Sequence, residues 1–301
     1  EEGGEVEVSS AEASSAAAVA AAAAAPVAAA AAPVAAAAPA VAAGASLERV
    51  SPRVGLQLMI GVSGLLSPNE GDMTVGEQPR QLSACWSAAA QYLGVGEWRS
   101  LVWGALPLRQ LAEALHAPGR KRGQLNLLEQ TLWALQVKPA WGLCYDAAKT
   151  AGAALAAQLR ARGCGARPAS LLGVSLGARV VWHCLELLAA LPAAEAAGLV
   201  QDVVLLAAPV TVNAARWEKV SAVVAGRLVN AFVRDNVQLG QLYRIDHLTS
   251  QGCCGLNPVP SACVENYDAT SHVAADSDAY HFALPVVLES VRLFPTELNL
   301  G

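Results

Sequence analysis

The sequence predicts an α/β domain in which a mostly parallel β-sheet is flanked by helices. Short apolar segments, typical of buried strands, alternate with longer segments whose apolar residues recur at helical spacing. Such alternation implies right-handed crossover connections and parallel neighbouring strands. About 250 residues of ordinary sequence are available for this domain, which is enough for a sizeable core.

The first fifty residues differ in composition from the rest of the chain. They are rich in alanine, and prolines interrupt the alanine runs at three places. Alanine is weakly apolar and the prolines recur too often for a smooth spanning helix, so a linker is favoured over a membrane span. We therefore expect a low-complexity, disordered linker at residues 1–50 and one folded domain at residues 51–301. The start of the chain has no basic region followed by a compact apolar core, so no secretory signal is predicted.

Charge and cysteine content exclude several functional classes. The net charge is −5, and the only basic cluster, at residues 119–123, is interpreted as a solvated loop, so no nucleic-acid partner is expected. The seven cysteines have no metal-ligand spacing. They predict reduced thiols in a cytosolic compartment, and neither a metal nor a cofactor is expected.

The first half of the domain contains two predicted strands and three helical stretches. Strands are predicted at 54–66, ending in a Ser-Gly turn, and at 97–106. Helical spacing of apolar residues appears around 82–93, from 108 to 135 with an interruption at the segment APGRKRG, and from 145 to 163.

The second half predicts four strands. The first is Ala169–Val174, followed directly by a helix at Leu176–Leu188. Further strands are predicted at 200–210, in the segment GRLVNAFVRDN and at 261–269, with a final helix around 282–293. Ligands of such sheets bind at the carboxyl ends of the strands. Five residues with chemical or turn-forming roles lie at, or just after, predicted strand ends: Ser63, Ser175, Pro209, Asp235 and His272.

Ser175 lies in a Gly-x-Ser-x-Gly motif, flanked by Gly173 and Gly177, at a predicted strand-to-helix turn. This combination is typical of the nucleophile elbow of the α/β-hydrolase fold, where a side chain on either glycine would collide with the neighbouring strand or helix. The turn would expose the serine hydroxyl and direct the backbone N–H of Leu176 towards a developing oxyanion. The sequence thus favours a nucleophile over a merely structural turn.

An activated serine needs a base and an acid, which follow it in the order Asp or Glu, then His, in this fold. Asp235 has the expected position after the second strand beyond the serine. Its alternative role is a helix N-cap, because DNVQLGQL resembles a helix start. Asp246 and Asp268 are weaker candidates for the acid.

The base is harder to assign. His116 precedes the serine, His183 lies in the helix after it, and His247 is expected on the surface. The candidates left are His272, which is favoured because it directly follows the last strand, and His281. The absence of any functional histidine is a third alternative.

A second oxyanion donor is expected in the turn after the first core strand. This position points to the backbone N–H groups of Ser63, Gly64 and Leu65, although a plain tight turn explains the glycine equally well.

The predicted domain contains the spaced segments RPASLLGVSLGARVVWHCLELL, DVVLLAAPV, RLVNAFVRDNVQLGQLYR and VENYDATSHV. Together with other segments they resemble one protein family, the domain of unknown function 726, and the resemblance covers roughly residues 53–293. It implies an α/β-hydrolase fold, membrane-associated segments before the hydrolase domain, and a lipase-like or esterase-like activity. Ser175 matches the family's nucleophile and Asp235 its acid.

The family's base is the point where this sequence departs from the pattern. The family has a histidine three residues before a tyrosine, but counting back from Tyr280 gives Ser277, and a one-residue slip gives Asp276. A serine cannot accept the proton at neutral pH, and a second carboxylate would be repelled by Asp235. Catalysis therefore depends on His272 or His281 as a substitute.

The function expected from the sequence is a serine hydrolase acting on a lipid or other small apolar ester at a membrane surface, on its cytoplasmic face. The alternative is a catalytically impaired hydrolase-fold protein that serves as a membrane-associated binding or scaffold module.

Overall fold

A computed structural model describes residues 45–51, 55–64, 78–94, 96–115, 127–163, 165–246, 252–273 and 280–293. Their core is a seven-stranded sheet in the order β1-β3-β2-β4-β5-β6-β7. Strands β2 to β7 are mutually parallel, and β1 pairs antiparallel with β3 at one edge. The strands are β1 Ser46–Arg49, β2 Leu58–Ser63, β3 Glu97–Val102, β4 Ala169–Val174, β5 Val200–Leu206, β6 Leu228–Phe232 and β7 Glu265–Asp268.

Helices occupy the crossovers between these strands. They are α1 Gln78–Leu93, α2 Ala105–Leu115, α3 Leu127–Arg160, α4 Leu176–Leu188, α5 Ala193–Ala196, α6 Ala214–Ser221, α7 Val237–Asp246 and α8 Tyr280–Ser290. The central strands β2, β4 and β6 are buried along their whole length. Burial of this kind explains why these strands are continuous apolar runs rather than alternating patterns, since helices cover both faces of a parallel sheet.

The chain has the α/β-hydrolase fold, as the sequence predicts. The strand that carries the serine, β4, lies at the centre of the sheet, and α4 begins directly after the single residue Ser175. The predicted bounds of β4 and α4 are confirmed to the residue.

Two features differ from the sequence-based expectation. The sheet begins at Ser46, within the stretch expected to be a linker, and residues 1–44 lie outside the described residues. The end of the helical stretch predicted at 108–135 and the helix predicted at 145–163 belong to one 34-residue helix, α3, which continues through Pro139. Proline removes one helical hydrogen bond. Buried side chains on both sides of it, among them Val137 and Trp141, supply the packing that offsets this loss.

Candidate active site

Ser175 occupies a strained turn between β4 and α4. Its backbone has φ 53° and ψ −124°, a region that residues with a side chain rarely adopt. Its N–H donates to the carbonyl oxygen of Leu206 at 2.9 Å, which ties the turn to the end of β5. The residue is 7% exposed, and its hydroxyl makes no hydrogen bond within the described part of the chain. Among the described residues, the turn therefore presents a hydroxyl that has no structural partner.

Glycines make this turn sterically feasible. A Cβ on Gly173 would lie 2.4 Å from the Cα of Ala178, and a Cβ on Gly177 would lie 2.0 Å from the carbonyl oxygen of Val62. Both distances are far below van der Waals contact, and both neighbours are backbone atoms. The two glycines of the motif thus allow α4 to pack directly against β4 and β2, as the elbow requires.

Two of the four expected oxyanion donors, Leu176 and Gly64, lie next to each other at the turn of Ser175. Leu176 is the first residue of α4, so its N–H has no acceptor within the helix. Gly64 packs against this amide, because a Cβ on residue 64 would lie 2.4 Å from the nitrogen of Leu176. The N–H of Gly64, however, donates to the carbonyl oxygen of Val174 at 3.0 Å. The missing side chain of Gly64 therefore allows its backbone to pack closely against Leu176, while its own N–H is engaged. Leu65, the next donor along the chain, lies outside the described residues.

Ser63 faces the interior rather than the site. It is fully buried, and its carbonyl oxygen accepts a hydrogen bond from Nε1 of Trp103 at 2.9 Å. Burial raises the pKa of the Cys85 thiol on α1 to about 12, although a hydrogen bond with the Ser63 side chain lowers it in part. The side chain of Ser63 thus fastens the end of β2 to α1.

Asp235 lies in the turn after β6, and its side chain is exposed. Among the described residues, none forms a hydrogen bond or ion pair with its carboxylate. The N-cap of α7 is the next residue, because Oδ1 of Asn236 accepts the N–H of Leu239 at 2.9 Å. The alternative role of Asp235 as a helix cap is therefore filled by Asn236. Its carboxylate remains available at the carboxyl edge of the sheet.

The other two acid candidates contrast with Asp235. Asp268, at the end of β7, accepts hydrogen bonds from Thr270 and from Nε of Arg234, and these bonds lower its pKa. Asp246 has a side chain outside the described residues.

His272 lies in the turn after β7, where its side chain is exposed. Its Nε2 is 2.7 Å from the hydroxyl oxygen of Tyr267, and the two rings are stacked with an angle of 11° between their planes. Tyr267 is on β7, so the imidazole folds back onto its own strand. The ring nitrogen that would face a nucleophile is thus occupied by a tyrosine hydroxyl.

The remaining base candidates give no alternative within the described residues. The side chain of His281, at the start of α8, lies outside them, as do Ser277 and Asp276. His183 on α4 bonds through Nδ1 to Oε2 of Glu186 at 3.1 Å.

The topology brings the three predicted residues to one edge without joining them. Ser175, Asp235 and His272 follow the carboxyl ends of the parallel strands β4, β6 and β7, respectively. In the sheet, β5 lies between β4 and β6, and β7 is next to β6. At the usual strand spacing, β6 is about 10 Å and β7 about 14 Å from β4. No hydrogen bond connects the three side chains in the described structure, and their roles remain predictions.

Sequence reasoning missed two residues of this region. Tyr267 holds the imidazole of His272, and Asn236 caps α7 next to Asp235. The sequence signal for Asn236 is direct, because asparagine ranks with aspartate as an N-cap. The pairing of Tyr267 with His272 has no comparable local signal, since it depends on how the turn after β7 folds.

The described residues contain no group of three or more histidine, cysteine, aspartate or glutamate side chains that could hold a metal ion. Their six cysteines are free thiols, and burial raises the pKa of Cys253 to about 12 and that of Cys254 well above its usual value.

A family model described as "Protein of unknown function (DUF726)" matches residues 130–294. The match includes the elbow, Asp235 and His272, and it covers more than half of the chain. The chain belongs to this family.

Three curated relatives each match about half of this chain. The transmembrane and coiled-coil domain-containing protein STS1 of rice is 41% identical over 51% of this chain and 22% of its own length. An uncharacterised membrane protein of Caenorhabditis elegans is 37% identical over 50% of this chain and 24% of its own length. A protein of Saccharomyces cerevisiae named probable lipase MIL1 is 30% identical over 51% of this chain and 14% of its own length. The chain thus matches about a quarter or less of the length of these relatives.

Among solved structures, the esterase PE8 aligns with 83% of this chain and 99% of its own, at 15% identity and a TM-score of 0.33. Although relatives are named as membrane proteins, no helix in the described part of this chain is long and apolar enough to span a bilayer.

Proposed function

We propose that this chain is a serine hydrolase of the esterase or lipase type, in which Ser175 attacks the carbonyl carbon of an ester. The observation that carries the proposal is the backbone of Ser175, held at φ 53° with a hydroxyl that makes no bond within the described chain. Backbone strain of this kind is retained where a nucleophile must be presented. Three glycines whose missing side chains make the turn feasible support the same conclusion.

In the proposed reaction, a histidine removes the proton of the Ser175 hydroxyl as its oxygen bonds to the carbonyl carbon. Asp235 orients that histidine, with His272 favoured and His281 as the alternative. The N–H of Leu176 stabilises the oxyanion together with that of Leu65, each contributing about 3 kcal/mol. The histidine then protonates the leaving alcohol, and water hydrolyses the acyl-enzyme.

The proposed substrate is a lipid or other small apolar ester, taken from a membrane surface. The names of relatives support this choice, since one is called a probable lipase and two are called membrane proteins. Fold and nucleophile alone do not select the acyl group. The membrane surface is therefore a separate part of the proposal.

The experiment is labelling of the purified chain with a fluorophosphonate probe, which reacts only with activated serines. We expect the wild type to be labelled and Ser175→Ala to be unlabelled, with an unchanged thermal midpoint because only an unbonded hydroxyl is lost. Ser221→Ala, on α6, is the matched control, since its hydroxyl bonds only the carbonyl oxygen of Glu218. A folded wild type that stays unlabelled with and without detergent would overturn the proposal.

That outcome would favour the second candidate, a hydrolase-fold protein that binds or scaffolds at a membrane without catalysis. The specific observation in its favour is the bond between His272 and Tyr267, which leaves Ser175 without a base in contact among the described side chains. Labelling that depends on Ser175 would exclude it.

A further inference from the structure

Helix α3 is longer than the sheet it crosses. Its 34 residues extend about 51 Å, whereas the six residues of β4 extend about 20 Å. Two contacts fix where the excess lies. Nε of Arg179, one turn into α4, donates to the carbonyl oxygen of Tyr145 at 3.3 Å, and a Cβ on Gly104, just after β3, would lie 3.9 Å from Cβ of Ala147. Residues 127–143 therefore extend beyond the carboxyl edge, on the side of the candidate active site.

This extension is apolar on two faces. One face packs into the protein through Trp133, Val137, Trp141 and Cys144, which are all buried. The opposite face, here called the leucine face, carries four leucines that are each more than half exposed: Leu128, Leu132, Leu135 and Leu143. A surface helix normally has charged residues on that side. Residues 127–143 contain only one acid and one lysine.

Exposed apolar side chains are concentrated at this end of the molecule. Six of the ten large ones found in the described residues lie at or beyond the carboxyl edge, since Leu106 follows β3, Val237 follows β6 and the other four form the leucine face. The other four are dispersed, at Leu56, Tyr92, Leu187 and Val286. Clustered exposed apolar surface marks interaction or membrane sites, whereas single exposed residues need no explanation.

The sequence before α3 gives the charge of the expected partner. Arg120, Lys121 and Arg122 precede the first residue of the helix, Leu127, by seven, six and five positions in the sequence. The sequence thus carries three positive charges shortly before an apolar helix. Positive charge next to exposed leucine is the combination that binds an anionic lipid surface.

We propose that the leucine face of α3 lies on a phospholipid bilayer, which places the bilayer beside the carboxyl edge of the sheet. The helix would rest in the plane of the interface, with the leucine side chains among the upper acyl segments. This inference deepens the proposed function, because it names the surface from which Ser175 would take a lipid ester. The docking itself does not depend on catalysis.

Vesicle flotation tests the proposal with phosphatidylcholine vesicles and with mixed phosphatidylcholine and phosphatidylserine vesicles. The test variant is Leu132→Gln/Leu135→Gln, and the matched control is Leu56→Gln/Leu187→Gln, since all four leucines are substantially exposed. We expect the wild type to float with both vesicles, and more strongly with phosphatidylserine. The test variant should bind roughly tenfold more weakly, as expected from removing two half-exposed leucines from a lipid contact, and the control should bind like the wild type.

Unchanged binding of the test variant would overturn the proposal, as would a wild type that floats with neither vesicle. Sedimentation velocity provides a further outcome, because a wild-type dimer that the test variant abolishes would assign the leucine face to a second copy of the chain. Fluorophosphonate labelling separates the two proposals. If Ser175 is labelled but the protein does not bind vesicles, only the docking proposal is overturned. If the protein binds vesicles but Ser175 is not labelled, only the proposed hydrolase activity is overturned. Unchanged thermal midpoints show that both double variants are folded.

Discussion

The hydroxyl oxygen of Tyr267 lies 2.7 Å from Nε2 of His272, with the two rings stacked. In a serine triad this nitrogen faces the nucleophile, while Nδ1 faces the acid. The favoured base therefore makes its hydrogen bond to its own strand rather than to Ser175. A working triad in this chain requires the imidazole to leave Tyr267, unless His281 is the base.

Replacing Tyr267 by phenylalanine should accelerate fluorophosphonate labelling roughly two- to tenfold. The variant removes a hydrogen bond worth about 0.5–1.5 kcal/mol that competes with the catalytic position of His272, and it keeps the ring. Tyr92→Phe is the control, because it deletes a tyrosine hydroxyl bonded to Glu289 elsewhere in the structure. Slower labelling of Tyr267→Phe, or full labelling of His272→Ala, would contradict His272 as the base held by Tyr267.

Adjacent residues after β6 should show opposite phenotypes. Asn236→Ala removes the cap that accepts the Leu239 N–H, so its free energy of unfolding should fall by about 1 kcal/mol. Asp235→Asn removes only a charge with no described partner, so stability should hold while hydrolysis of a short-chain ester falls about 10³- to 10⁴-fold. Urea unfolding and initial rates measure the two effects. Full activity in folded Asp235→Asn would exclude it as the acid.

The fold and the strand and helix on either side of Ser175 were predictable because their signals are local. The strand Ala169–Val174 and the helix Leu176–Leu188 follow from apolar spacing and two glycines, and the structure has the same bounds. The continuity of α3 through Pro139 was not predictable, because a proline normally indicates a break and only burial around it outweighs that signal. Strand β1 is equally hidden, since four residues of mixed polarity pair only at an edge.

The candidate site was predictable in position but not in connection. Strand order places Ser175, Asp235 and His272 at one edge, as expected for their fold. Whether an imidazole bonds to a serine or to a tyrosine depends on a rotation of a side chain in a turn, which no periodicity encodes. The stacking of His272 on Tyr267 depends on such a side-chain rotation, so it could not be predicted from the sequence.

Adding a methyl group at Gly177 should destabilise the protein by about 3 kcal/mol or more. Its Cβ would lie 2.0 Å from the carbonyl oxygen of Val62, and neither backbone can move without disrupting β2 or α4. Gly142→Ala in α3 is the matched control, because a Cβ there has no neighbour within 4 Å and alanine favours a helix by up to about 1 kcal/mol. Urea unfolding measures both. A Gly177→Ala protein as stable as wild type would show that the elbow is looser than described.

Acid should weaken the contact of α4 with α6 through Glu186. Burial of Glu186 would raise its pKa, but hydrogen bonds from His183 and Arg216 lower it from 4.5 to about 2. A carboxyl whose pKa is lower in the folded state stabilises the protein above its unfolded pKa, and this contribution is lost as pH falls from about 4.5 to about 2.

The free energy of unfolding at pH 7 should therefore be lower in Glu186→Gln by on the order of 2 kcal/mol, after allowance for partial exposure, and the difference should shrink towards pH 2. Glu195→Gln, which breaks the exposed pair with Arg160, should cost less than about 1 kcal/mol. Urea unfolding at several pH values checks this result. A difference between wild type and Glu186→Gln that stays constant with pH would show that packing of the side chain, rather than its charge, stabilises this contact.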